Sequence, residues 1–186
     1  KIIKDVENGN LDLFSTMSSA DYESRFQAIY IPLYRGMLGM RLAIVKKEKL
    51  NLFHKVKTLT DLQQFKAGQG ALWTDSDILE ANNLPVVREQ KYPNLFRMLE
   101  ADRFDYFPRG LQEPWLEVQR DPSLNLDVDR HVMLWYTAPY YFFVKKGNQT
   151  LAKHITEQLE LMITDGTYER LFLNDPEIKM ALEKAQ

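Results

Sequence analysis

Strand-like and helix-like segments alternate through the middle of the chain, and this alternation constrains the fold more than any other feature. Short apolar segments that are typical of strands lie at residues 65–68, 85–87 and 104–107. Each is followed by a segment that is typical of a helix, at residues 75–82, 94–102 and 113–119. Repeated strand–helix units form a mainly parallel sheet that helices cover on both faces. We therefore expect an α/β fold.

The chain opens in an unusual way for a compact α/β domain. Ile2, Ile3 and Val6 have helical spacing, and residues 11–14 then have the pattern of a buried strand. A helix in this fold class normally crosses over from a strand that precedes it. We therefore expect that an N-terminal portion, including a secretory signal, precedes Lys1 in the full protein.

The remaining predicted elements lie outside the alternating segment. They are an exposed turn at residues 18–21, a strand at 42–45, a charged connector at 46–60 with a short helix opening at 58–62, and a surface helix from residue 151. The apolar, aromatic segment 132–144 is broken by Pro139, which predicts two strands. The second of these strands is expected to return to the first part of the fold.

Composition excludes several classes of protein. Hydrophobic residues make up 45% of the 186 residues, which is ordinary for a globular chain, and the formal net charge is −2. A nucleic-acid surface would be basic, so we expect no nucleic acid as a partner. The absence of cysteine excludes disulfides and thiolate metal sites. The histidines lack metal-binding spacing and no phosphate-binding loop occurs, so we expect no metal and no cofactor.

Several short motifs follow one another in a characteristic order. The closing part has Phe-Val-Lys-Lys-Gly-Asn at 143–148, then a helix, then Asp-Gly-Thr-Tyr-Glu-Arg-Leu at 165–171. Weaker motifs lie at residues 8–12, 17–45, 59–70 and 102–105. Together they resemble the type 2 periplasmic binding proteins, the solute receptors of ABC transporters, and among these the amino-acid-receptor-like family 3.

This resemblance implies a fold of two lobes that enclose a small solute, and it implies no catalysis. Lobe one would comprise residues 1–60 and 140–186, with its N-terminal part missing, and lobe two would comprise residues 61–139. The chain would cross between the lobes within residues 46–62 and again within residues 135–141. The protein would be a periplasmic monomer whose partner is a membrane permease or a sensor.

One departure from that family bears on the ligand. The amino-acid receptors carry an acidic residue just after the strand that corresponds to residues 104–107, where it pairs with the ammonium group of the ligand. Here Arg109 lies at or beside that position, between Pro108 and Gly110. A cation in this place predicts a small polar or anionic ligand rather than a zwitterionic amino acid.

Two arginines are the leading ligand-binding candidates. Arg25 lies where the family has its carboxylate-binding arginine, and a guanidinium group offers two parallel donors to a carboxylate. The alternative for Arg25 is a surface salt bridge with Asp21 or Glu23. Arg109 lies between a strand and a helix, at the carboxyl end where open α/β sheets bind ligands. Glu113, one helical turn further on, is also a candidate, and its alternative role is simply to pair with Arg109.

Four further residues complete the candidate site: Tyr34, Arg41, Gly70 and Trp73. Gly70 belongs to a strand-to-helix turn of the kind that directs backbone N–H groups at an anion, although an ordinary capped helix start is the alternative. Trp73 could stack on a ligand or cover the hinge. Tyr34 is the best ligand candidate among the aromatic residues near the expected crossings, most of which should be packing residues. Arg41 lies at the start of the strand 42–45.

Two other functions stay open on the same scaffold. The fold also serves as the extracytoplasmic sensor of membrane receptors, which a transmembrane segment in the full gene product would indicate. Some lyases and transferases reuse the fold as well, and only the loss of a substrate on incubation would establish an enzyme. Fold alone cannot choose between these functions.

Overall fold

The computed structural model describes residues 1–184, and it has the mixed α/β architecture that the sequence predicts. The strands are β1 Leu13–Met17, β2 Phe26–Ile29, β3 Met40–Lys46, β4 Ala67–Gly70, β5 Val86–Glu89, β6 Phe107–Gly110, β7 Leu126–Trp135 and β8 Tyr140–Lys145. The helices are α1 Ile2–Asn8, α2 Ala20–Arg25, α3 Leu59–Leu62, α4 Thr74–Ala81, α5 Tyr92–Glu100, α6 Pro114–Arg120, α7 Gln149–Thr164, α8 Thr167–Asn174 and α9 Pro176–Lys184. Short 3-10 helices lie at Met37–Gly39 and Lys47–Lys49.

The chain divides into two compact units. The first comprises Lys1–Leu38 and Thr137–Lys179, and the second comprises Gly39–Tyr136 and residues 180–184. The predicted lobe extents assign β3 to lobe one. The structure instead places β3 in the second unit, because β3 pairs with β6 and β7 there. The chain therefore passes into the second unit before β3 rather than within residues 46–62.

β8 is the middle strand of the sheet in the first unit, which has the order β1-β8-β2 with antiparallel pairs. Phe143 of β8 lies opposite Phe14 of β1 and Ala28 of β2. The rings of Phe14 and Phe143 stack at 5.4 Å, and the ring of Phe26 meets Phe14 edge-on at 4.9 Å. Val6 of α1 joins this apolar cluster, which explains the helical spacing of apolar residues at the start of the chain.

The second unit contains an antiparallel sheet with the order β6-β3-β7 and a parallel pair, β4-β5. A parallel bridge between Ala67 and Tyr106 links β4 to the segment that leads into β6. The central strand β3 is buried on both faces, since Ala43 and Val45 belong to one apolar cluster and Ile44 to another. Burial on both faces explains why this strand has a continuous apolar pattern rather than an alternating one.

The strand directions differ from the prediction. In the described chain, only the β4–β5 pair and the Ala67–Tyr106 bridge are parallel. The expectation of a mainly parallel sheet therefore holds for β4, β5 and the segment that leads into β6, but it is wrong for the sheet β6-β3-β7, whose pairs are antiparallel. β3 is buried on both faces, and such a strand is apolar in either direction, so the sequence pattern located β3 without fixing its direction.

Local predictions fail near the start of the chain. Residues 18–21, which the sequence predicts as an exposed turn, lead into α2 instead. The Ser19 hydroxyl accepts a hydrogen bond from the Tyr22 backbone N–H at 3.2 Å and so caps that helix. β2 begins directly after α2 with no turn residue between them, and this short strand has no separate sequence signal. The helix α9 was likewise not predicted.

Candidate binding site

Two strand-to-helix turns of the second unit lie on the same side of its strands. β4 ends at Gly70 and leads through Trp73 into α4, and β6 ends at Gly110 and leads through Glu113 into α6. The parallel bridge between the two strand segments means that both have their carboxyl ends at the same edge. Ligands of α/β folds commonly bind at such an edge.

Arg41 is buried, with 3% of its side chain exposed, and it pairs with Asp75 of α4. Arg41 Nη2 lies 2.5 Å from Asp75 Oδ1, and the Tyr136 hydroxyl donates a hydrogen bond of 2.5 Å to the same oxygen. Burial raises the pKa of Tyr136 above its usual value, so the hydroxyl stays protonated and remains a donor. The guanidinium carbon of Arg41 also lies 5.6 Å from the centre of the Tyr136 ring.

Arg109 is enclosed by aromatic rings and carboxylates. Its guanidinium carbon lies 5.0 to 5.4 Å from the centres of three rings, those of Trp73, Tyr92 and Phe107. Its Nε and Nη2 donate to the Glu117 carboxylate over 2.7 to 3.0 Å. Burial alone would lower the pKa of Arg109, but the carboxylates of Glu113 and Glu117 raise it above its usual value. Arg109 is therefore a charged group whose charge is already compensated.

Glu113 connects the two arginines. Its Oε1 lies 2.9 Å from Arg109 Nη2, and its Oε2 lies 3.7 Å from Arg41 Nη1. The same Oε2 accepts a hydrogen bond of 2.6 Å from the Gly110 backbone N–H. About 20% of the Glu113 side chain is exposed, more than that of any residue with which it pairs. Glu113 is therefore the charged group here that a solute can reach most easily.

These side chains form one continuous series, which we call the charge network. In order, its members are Tyr136, Asp75, Arg41, Glu113, Arg109, Glu117 and Tyr92. The Tyr92 hydroxyl closes the far end with a hydrogen bond of 2.5 Å to Glu117 Oε1. Three carboxylates and two guanidinium groups give the network one net negative charge. An anion that binds to Arg109 would have to compete with carboxylates that are already in place.

Gly70 provides the space that Trp73 occupies. A Cβ atom at Gly70 would lie 2.4 Å from the indole ring, so a larger residue would displace it. The indole stacks on Phe107 with 6.3 Å between ring centres and 17° between ring planes. The Gly70 carbonyl accepts a hydrogen bond of 2.8 Å from the Ser76 hydroxyl, which ties this turn to the first turn of α4. Gly70 thereby positions Trp73 beside Arg109.

The two remaining candidates belong to the first unit. Arg25 lies at the end of α2 and donates hydrogen bonds of 2.7 Å to Glu7 and 2.8 Å to Asp21. These two hydrogen bonds raise the pKa of Arg25 above its usual value. The surface pairing with Asp21, which the sequence left open as an alternative, is therefore present. Tyr34 packs edge-on against Tyr140 with 5.2 Å between ring centres.

Five of the seven predicted site residues lie together in or against the charge network: Arg41, Gly70, Trp73, Arg109 and Glu113. Contact between a ligand and any of the seven stays a prediction. Among residues 1–184, no group of His, Asp or Glu side chains is arranged to hold a metal ion. Within the same range, no helix is both long enough and apolar enough to span a membrane.

A scan against protein-family models gives no match, and a search of curated proteins gives none either. Solved structures do match. A substrate-binding protein of an amino-acid ABC transporter from Streptococcus pneumoniae, bound to L-arginine, is 20% identical with a TM-score of 0.73, over 97% of this chain and 73% of that chain. An ancestral amino-acid-binding protein, a precursor of cyclohexadienyl dehydratase, is 17% identical with a TM-score of 0.68, over 92% and 71%. The GluR0 ligand-binding core from Nostoc punctiforme, in complex with L-glutamate, is 14% identical with a TM-score of 0.71, over 95% and 78%.

The chain has the fold of the type 2 periplasmic binding proteins. The fold class that the sequence predicts is thereby confirmed, as is the resemblance on which it rested. At these levels of identity the likeness concerns the fold alone. The chain spans 71% to 78% of the three matched chains. The expected N-terminal portion before Lys1 stays a prediction.

Sequence reasoning on this binding-protein fold missed four members of the charge network as site residues: Asp75, Tyr92, Glu117 and Tyr136. Glu117 had a usable signal, because it follows Glu113 by four residues and so lies on the same side of α6. Asp75 was interpreted as part of an ordinary helix start, either as a charge that complements the N-terminus of α4 or as its N-cap. Tyr92 and Tyr136 are distant in sequence from the carboxylates to which they donate, so no spacing rule connects them.

Proposed function

We propose that the protein is an extracytoplasmic solute-binding protein that captures a small polar molecule for an ABC-type transporter. The observation that carries this proposal is the partly exposed carboxylate of Glu113, held between Arg41 and Arg109 on a binding-protein fold. Ion pairs and the hydrogen bond from Gly110 hold this carboxylate in place before any solute arrives. A group that is already ordered loses little conformational freedom on binding, which favours affinity.

The charge balance of the network bears on the solute. Both arginines are paired with carboxylates, and the carboxylates are in excess. Glu113 would therefore accept hydrogen bonds from hydroxyl, amide or amine groups of the solute. An anionic solute remains compatible with the proposal only if it displaces Glu113 from Arg109. The contacts expected from Arg25, Tyr34 and Trp73 remain part of the proposal.

Native mass spectrometry of protein purified without denaturation tests this function. We expect one small polar molecule to be released from the folded protein on collisional activation. The same protein, unfolded, dialysed and refolded, should lack that mass and should recover it when the molecule is added back. If no molecule co-purifies, and a panel of polar metabolites causes no thermal stabilisation, the proposal is wrong.

The likeness to the GluR0 ligand-binding core supports a second candidate, the ligand-sensing domain of a membrane receptor. Capture of a small molecule is common to both functions, so binding experiments cannot separate them. A transmembrane segment in the full gene product would favour the receptor.

An enzyme on the same scaffold is the third candidate, and the likeness to a precursor of a dehydratase keeps it open. We propose that the protein is not an enzyme. Incubation of the co-purified molecule with the protein, followed by mass spectrometry, should recover the molecule unchanged. A product whose amount increases with protein concentration would contradict this.

A further inference from the structure

A cavity of about 330 Å³ lies between α5 and α6 in the second unit. Its apolar wall consists of Tyr92, Phe96, Val118, Leu124 and Leu126. Small-molecule sites typically have volumes of about 300–1,000 Å³ and combine an apolar lining with a few polar groups. This cavity is at the lower end of that range, which suits a molecule of one or two rings.

The acidic groups that line the cavity already have partners. Glu117 at its base accepts hydrogen bonds from Arg109 over 2.7 to 3.0 Å and from Tyr92 at 2.5 Å. Asp121 accepts hydrogen bonds from the backbone N–H and the hydroxyl of Ser123, at 3.2 and 2.5 Å. Arg109 therefore compensates the charge of Glu117, whereas neutral donors of Ser123 engage Oδ1 of Asp121.

One of the two basic groups at the rim of the cavity, Arg97, has a side chain without such a partner among the residues that the structure describes. Arg97 of α5 and Arg120 of α6 both line the cavity, one from each helix. Arg97 is exposed, and its side chain forms no ion pair or hydrogen bond with another residue of the described range 1–184. A guanidinium group without a protein partner can pair with a carboxylate in a bidentate manner. The guanidinium group of Arg97 at the rim therefore favours an occupant of the cavity that carries one negative charge.

The aromatic residues of the wall favour a flat occupant. The rings of Tyr92 and Phe96 meet edge-on, with 5.2 Å between their centres and 89° between their planes. Two rings in this arrangement present one ring face and one ring edge. The ring of an aromatic occupant can extend the same edge-to-face packing. Val118 and Leu124 would then cover the other side of such a ring.

We propose that this cavity is a second small-molecule site, separate from Glu113, which binds a flat aromatic monocarboxylate. The aromatic body would lie against Tyr92, Phe96 and Val118, and the carboxylate would pair with Arg97 at the rim. This inference does not rest on the proposed transport function, because the cavity is lined by α5, α6 and the residues that follow α6.

The probe for this site is 2-naphthoate, with the uncharged 2-naphthalenemethanol as its counterpart. Titration into protein with labelled Leu and Val methyl groups should shift the signals of Val118, Leu124 and Leu126 first. For a molecule of this size we expect a Kd on the order of 0.1 mM. The uncharged counterpart should bind more weakly than the carboxylate.

Two variants and a matched control locate the site. Arg97→Gln should weaken 2-naphthoate binding about fivefold and leave 2-naphthalenemethanol unaffected, because only the carboxylate pairs with the guanidinium. Arg103→Gln removes an exposed arginine of the same unit that does not line the cavity, and it should change neither affinity. Val118→Phe should fill the cavity and abolish the binding of both probes. Methyl shifts elsewhere in the chain, or equal affinity for 2-naphthoate in wild type, Arg97→Gln and Val118→Phe, would overturn the proposal.

Discussion

Arg41 and Arg109 share one carboxylate: Glu113 Oε2 lies 3.7 Å from Arg41, and Glu113 Oε1 lies 2.9 Å from Arg109. Two buried groups of like charge repel each other, and an opposite charge that lies between them offsets this repulsion. Glu113 has that position and is also the most exposed charged group of the network. A structural ion pair and an accessible acceptor are thus combined in one side chain, and this combination is the basis of the proposed solute site.

Arg41→Met should destabilise the second unit by about 3–5 kcal/mol, because it leaves the buried carboxylate of Asp75 without its cation. Urea unfolding followed by tryptophan fluorescence measures this, since Trp73, Trp115 and Trp135 all belong to the second unit. The double variant Arg41→Met with Asp75→Leu should recover much of the lost free energy of unfolding. Equal stability of wild type and Arg41→Met would show that the ion pair between Arg41 and Asp75 does not stabilise the second unit.

Gly70→Ala should destabilise the second unit by about 1–3 kcal/mol, because its new Cβ would overlap the indole of Trp73. The same overlap should shift the tryptophan emission spectrum. A double-mutant cycle with Trp73→Ala provides the control. Gly70→Ala should lower the free energy of unfolding much less in the Trp73→Ala background than in the wild type. If the cost is the same on both backgrounds, the close approach of Gly70 and Trp73 is not its cause.

Asp102 should make stability depend on pH in the acid range. Hydrogen bonds from Lys46 and then Lys49, at 2.8 and 2.6 Å, lower the pKa of Asp102 from its usual 3.8 to about 2. The folded state therefore binds this proton less readily than the unfolded state, so the stabilisation is complete above about pH 4 and is lost as pH falls towards 2.

Asp102→Asn is the corresponding variant, and Asn tolerates the positive φ of 54° found at this position. It should lower the urea midpoint at pH 5 but not at pH 2. Asp12→Asn, at an exposed residue, serves as the control and should have little effect at either pH. A deficit for Asp102→Asn that is equal at both pH values would exclude titration of this carboxylate as the cause.

Arg25→Ala separates two interpretations of Arg25. As a surface ion pair with Glu7 and Asp21, it should be replaceable with little change in melting temperature. As a ligand contact, its loss should weaken binding of the co-purified solute about tenfold. Thermal melting and calorimetry on the same variant give both values. Unchanged affinity would remove Arg25 from the site.

The sequence was most informative about features that one short segment determines, such as the position of a strand or the proximity of two charged residues. Short segments located β3, β4, β5 and β8 to within a few residues, and residues 58–62 were predicted to open a short helix. The structure has α3 there, with a capping box formed by Thr58 and Asp61. Arg109 and Glu113 were predicted as neighbours because four residues separate them. Each of these features depends on local spacing, which a single sequence contains.

Features that depend on tertiary structure could not be predicted. The partner of Arg41 is Asp75, which is distant in sequence and lies in the first turn of α4, outside the sheet to which β3 belongs. The direction of β6 relative to β3, and with it the unit to which β3 belongs, depends on strand pairing that leaves no local signal. The compensation of Arg109 by Glu117 was missed for a different reason, since the sequence analysis assigned no role to Glu117.

The most direct test of the proposed site is calorimetry with the co-purified solute on three proteins: wild type, Glu113→Gln and Glu183→Gln. Glu183 is an exposed glutamate of α9, outside the charge network, and its replacement should leave the affinity unchanged. Glu113→Gln should weaken binding about tenfold or more, because a charged hydrogen-bond acceptor is lost. Equal affinity in all three proteins, or tighter binding by Glu113→Gln, would contradict the account; the second result would identify the solute as an anion bound by Arg41 and Arg109.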